Sequence, residues 1–174
     1  AVGAYALNNN TATGNTAFGS DALRQNTSGN YNLACGQNTL KVNTTGAGLT
    51  AVGSTALTAN TTGSNNTAVG YGALDANTTA SENTAVGWES LSSNTTATNN
   101  TGIGFKSLRY NTTGAQNTAL GHESGREITT GSGNTIIGHR ALSTSTTGAN
   151  NTAIGVYAGD ALTSAQDCTF LGRD

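Results

Sequence analysis

The chain has 174 residues, only 34% of them hydrophobic and 9% charged, with a formal net charge of -2. Seven lysines and arginines over that length cannot form the basic stripe that phosphate binding needs, so a nucleic-acid partner is excluded. No apolar run approaches a spanning helix and no stretch reads as a signal peptide, so no membrane insertion is expected.

Disorder in so polar a chain normally comes with high net charge. Low charge, abundant threonine and regularly spaced glycine point instead to repetitive β-structure. A short A-[VIFL]-G signature recurs at Gly3, Gly19, Gly36, Gly53, Gly70 and onward to Gly172. Every step is 17 residues except the first, of 16. The clearest unit runs from Asn66 to Glu82, and the consensus is N-T-A-V-G-x-x-A-L-x-x-N-T-T-G-x-x. A fixed beat of this kind is the mark of a solenoid, in which each coil pairs in register with its neighbour.

Within a unit, alternation predicts a first strand with Thr67 and Val69 on one face and Ala68 and Gly70 on the other. The aliphatic column through Phe18, Cys35, Val52, Val69, Val86 and Ile103 is expected to face inward. Five positions on, Leu23, Leu40, Leu57, Leu74, Leu91, Leu108 and Leu142 supply a second inward stripe from a second strand. The N-T-T-G tract then turns the chain, with glycine at positive φ and asparagine bonding backbone. Asn26, Asn43, Asn60, Asn77, Asn94 and Asn111 recur at one register, where stacked amides form a ladder. They also create N-x-[ST] sequons, and the turn ladder is favoured over glycosylation because one spacing makes both. Cys35 and Cys168 fall eight units apart, roughly 38 Å at about 4.8 Å per coil, so two free thiols are expected. The fold class is therefore all-β, a parallel β-solenoid of about eleven 17-residue coils forming one domain over 1–174.

Two aliphatics per coil make a thin core for the backbone entropy that must be overcome. The strand face carrying Ala17, Ala34, Ala51, Ala68 and Ala85 is expected to let other backbones approach, most plausibly around a threefold axis as a homotrimer.

Units such as Gly63–Leu74 and Thr129–Gly138 resemble the repeats of phage tail-fibre and bacterial surface proteins that often end in an endosialidase-type intramolecular chaperone. More distantly, they are similar to the head repeats of trimeric autotransporter adhesins. The resemblance spans the whole chain and implies an elongated, trimeric, surface-exposed shaft or head, extracellular on a virion tail fibre or a bacterial cell. The 17-residue unit is longer than the adhesin-head coil, and the chaperone domain is absent. The array is expected to be a segment of a longer fibre with its caps elsewhere.

No catalytic set emerges, since every Ser and Asp near His122 and His139 sits at a variable position. The glycines keep the repeat's beat and precede no helix, which removes phosphate-loop readings. His122 and His139 share a repeat position that holds Ser20, Gln37 and Ser54 elsewhere, so neither a metal nor another cofactor is expected. That column also holds Tyr71, Trp88 and Phe105. The five residues Tyr71, Trp88, Phe105, His122 and His139 are the candidate ligand-binding site, for sugar faces or a receptor surface. A ladder that merely steadies adjacent coils is the favoured alternative. The expected function is non-enzymatic: a structural fibre segment for host or surface attachment, with a glycan-binding module second. An ice-binding solenoid comes third, argued from the columns containing Thr44/Thr61/Thr78 and Thr45/Thr62/Thr79, whose adjacent threonines point to opposite sides.

Overall fold

The computed structural model describes residues 1–173. Ten three-residue strands, from β1 (Thr16–Phe18) to β10 (Thr169–Leu171), form one parallel sheet in strict chain order. Register is fixed by the repeat: in β4 (Thr67–Val69) and β5 (Thr84–Val86), Ala68 lies opposite Ala85 and Val69 opposite Val86. An isolated bridge from Val2 to Phe18 adds an eleventh rung, and the short first interval is taken up in the turn between Thr11, which bonds the Thr27 carbonyl, and Thr13, which bonds Asn30. No helix occurs among the described residues.

Period-two alternation holds, but the faces are the reverse of the expectation. The strand-centre residues Ala17, Ala34, Ala51, Ala68 and Ala85 are fully buried, whereas Phe18 is 54% exposed and Leu120 46%. Alternation assigns residues to opposite faces without saying which face is inside. Here the wall opposite the sheet decides, because Leu57, Leu74 and Leu91 are fully buried and fill a narrow interior that leaves room for only a methyl group. The alanine stripe is thus core of a single chain, and the intersubunit role expected of it is ruled out.

The second strand is also absent. Leu74 has φ of 52° and its column repeats that left-handed conformation, with Leu57 at 51° and Leu91 at 52°. Two tight turns replace the strand: the Ala73 N–H donates to the Gly70 carbonyl at 3.4 Å, and the Asn77 N–H to the Leu74 carbonyl at 3.1 Å. The turns still bond along the axis, since the Leu74 N–H reaches the Ser90 carbonyl at 3.1 Å. Burying the leucine side chain and satisfying the backbone together hold it in a region that non-glycine residues seldom adopt.

Polar ladders complete the interior. Asn60 Nδ2 donates to Asn43 Oδ1 at 2.8 Å and to the Gly63 carbonyl at 3.0 Å, and Asn77 Nδ2 continues to Asn60 Oδ1 at 2.7 Å. A second column repeats the device, with the Asn100 N–H donating to Asn83 Oδ1 at 2.9 Å. Inside each run of asparagines the buried amides are thereby partnered from coil to coil, as burial of polar groups demands. Because these asparagines are fully buried, the sequons at Asn43, Asn60 and Asn77 are closed to glycosylation in the folded chain. The first ladder stops where Ile128 replaces asparagine, which leaves Asn111 Oδ1 without a partner.

Candidate functional site

The aromatic column projects from the turn that follows each strand. Repetition at one register brings the rings together along the axis. Tyr71 stacks on Trp88 with centroids 4.4 Å apart, and Phe105, His122 and His139 stack in turn at 5.0 and 5.1 Å. All five expected site residues are exposed, Trp88 at 49%. Tyr157, one position out of register, closes the run edge-on to His139 at 5.3 Å, a member that the column pattern does not reveal.

This geometry limits what the column can bind. Sugar recognition by aromatic side chains uses ring faces, and stacking occupies the facing sides of Tyr71 and Trp88 and those along Phe105, His122 and His139, while no stacking joins Trp88 to Phe105. Lys106 Nζ also sits 4.7 Å from the Phe105 centroid. The arrangement supplies inter-coil cohesion directly. His122 and His139 lie face to face, and no group of three or more His, Cys, Asp or Glu residues placed to hold a metal occurs among the described residues.

Beside the rings runs an ionic strip built from the next few positions of each turn. Arg126 pairs with Glu123 at 3.1 Å and Glu127 at 2.8 Å, Arg140 approaches Glu123 at 3.7 Å, and Arg109 meets Glu89 at 3.0 Å. Burial alone would raise the pKa of Glu123, but the Arg126 hydrogen bond and charge, with His122 and Arg140, hold it below the ordinary value. Asp75 goes the other way: burial raises it, against backbone hydrogen bonds from Ala76 and its own N–H.

The outward sheet face has the opposite character, and the sequence reading missed it by placing its aliphatics inside. Each strand presents two residues to solvent, such as Thr67 with Val69, Thr84 with Val86 and Thr101 with Ile103. Neither column contains a charged residue in any of the ten strands. Cys35 is exposed in this ribbon and, like Cys168, is a free thiol.

Compared with protein-family models, with curated proteins and with solved structures, the chain matches none.

Proposed function

We propose that this chain is a structural segment of an extracellular fibre or adhesin, a rod that holds attachment surfaces away from a virion or cell. The observation that carries this reading is the unbroken axial bonding. Strands and turns hydrogen-bond from coil to coil along the whole sheet and the buried asparagine columns add to them over runs of coils, so a load along the axis is shared by several parallel columns. The extracellular setting comes from the repeats' resemblance to fibre and surface-protein repeats. The trimer that the resemblance implies is not needed to enclose the core, and the rod reading stands on one chain. A glycan-binding module is less favoured, because most of the ring faces that would hold a sugar are already stacked.

Joining two arrays so that the 17-residue beat continues across the junction tests the reading. The strands of one array span nine steps, about 43 Å at about 4.8 Å per step. Small-angle scattering should show the rod's length doubling at constant cross-section. A particle that thickens rather than lengthens would refute it.

A further inference from the structure

The ribbon is a two-dimensional lattice. Parallel in-register pairing repeats it about every 4.8 Å along the axis, and the step from residue i to i+2 spaces its two columns by about 6.6 Å. Threonine occupies the first column in every strand but β2 (Leu33–Cys35), where Leu33 takes its place. In the central rungs the second column is valine or isoleucine, as at Val69, Val86 and Ile103.

The hydroxyls distinguish these threonines from the others. Thr61, Thr78 and Thr112, in the turn column, each donate Oγ1 to the threonine carbonyl of the next coil at 3.0 to 3.2 Å. The hydroxyls of Thr67, Thr84 and Thr101 bond no protein group among the described residues and stand toward solvent beside their methyls.

We propose that this ribbon binds ice. A rigid, regular, uncharged surface with alternating methyls and free hydroxyls constrains its first water layer in two directions, and ice presents planes whose oxygens recur at comparable intervals. Methyl groups leave neighbouring waters to bond one another, while the hydroxyls anchor the layer. Charged groups, which would impose hydration shells of their own, are confined to the turns and to the sheet's far end. Of the threonine columns singled out by sequence, the one through Thr61, Thr78 and Thr112 is unsuited, since its hydroxyls are engaged along the axis. A dry contact with another copy would strip water from every free hydroxyl on the ribbon, which disfavours that occupant. The inference goes beyond the fibre reading and does not rest on it.

The test uses the whole chain, with ice as the probe. The folded protein should shape ice crystals, hold their freezing point below their melting point and inhibit recrystallisation. Thr84→Lys with Thr101→Lys, both on the surface, should abolish all three effects while circular dichroism stays unchanged. Thr79→Lys, exposed on another face, should leave them intact. Absence of ice shaping by the folded chain, or equal loss in the Thr79 variant, would overturn the proposal. So would a multimer by light scattering whose Cys35 thiols cross-link, because copies would then cover the ribbon. Rod length is read independently by scattering, so the two readings fail separately.

Discussion

Gly125 and Ile136 trade volume across adjacent coils: a Cβ on Gly125 would fall 2.8 Å from Ile136 Cδ1 and 3.0 Å from Leu108 Cδ2. Gly125 stands where other coils carry leucine, and Ile136 stands where they carry alanine. The exchange recurs at Gly159 and Phe170, where an added Cβ would meet Phe170 Cδ2 at 3.0 Å. Ile136→Ala alone should leave a cavity and cost about 2–4 kcal/mol. Gly125→Leu alone should overpack the site, at about 1–3 kcal/mol. The double variant restores the commoner pair and should recover much of both losses, read as a non-additive cycle in denaturant unfolding. Additive losses would mean that the two sites do not share space.

The reversed faces make a sharper test. Ala68→Gln places an amide in an interior sized for a methyl, so the surrounding coils should melt or lose at least about 2 kcal/mol. Val69→Gln changes an outward side chain and should stay within about 0.5 kcal/mol of the parent. Thermal unfolding compares the two directly. Similar losses would contradict the burial of Ala68.

The beat and the parallel register were legible in the sequence because coil pairing forces constant length. The direction of the strand faces was not, since Ala68 and Val69 alternate equally well either way. A usable signal was nevertheless present. The alanine column becomes large only at Ile136 and Phe170, each one coil after the leucine column becomes glycine, at Gly125 and Gly159. Such compensation means that the two columns meet, and hence that both point inward. Leu74 misled differently. A leucine recurring at one register suggests an inward strand position, and nothing local announces a left-handed leucine, whose conformation depends on tertiary burial. The five aromatic-column residues are brought together as spacing implied, whereas their ring orientation depends on side-chain rotation that spacing does not encode.

Acid should weaken the ionic strip. Glu123 has a lowered folded pKa, so its contribution is present above the unfolded value near 4.5 and is lost as pH falls through the folded one. Glu123→Gln should flatten the stability profile below about pH 4.5. Asp75 has the opposite sign: its raised pKa penalises the folded state as pH climbs above 3.8, and Asp75→Asn should remove that decline. Unfolding midpoints across the acid range for the parent and both variants measure the effects. An unchanged profile in Glu123→Gln would detach the strip from acid stability.

Gly70 and Gly72 lie two residues apart, yet they should respond very differently to alanine. Gly70 has φ of 136°, a conformation hostile to side chains, and an added Cβ would collide with the Gly87 carbonyl of the next coil. Neither backbone can retreat, because the Gly87 N–H is tied to the Val69 carbonyl at 2.7 Å. Gly70→Ala must therefore break the axial contact and should destabilise the rod by more than about 3 kcal/mol. At Gly72, φ is 62° and the nearest atom to an added Cβ is Glu89 Cγ at 3.5 Å, an ordinary contact. The same register holds Glu89 and Lys106 in neighbouring coils, both left-handed, so the backbone already accommodates side chains there. Gly72→Ala should cost no more than about 1 kcal/mol, the difference between residual left-handed strain and a stiffer unfolded chain. Hydrogen exchange at the Gly87 amide locates the damage: it should accelerate strongly in Gly70→Ala and little in Gly72→Ala. Comparable protection in the two variants would show that the glycine beat is not set by contact between coils.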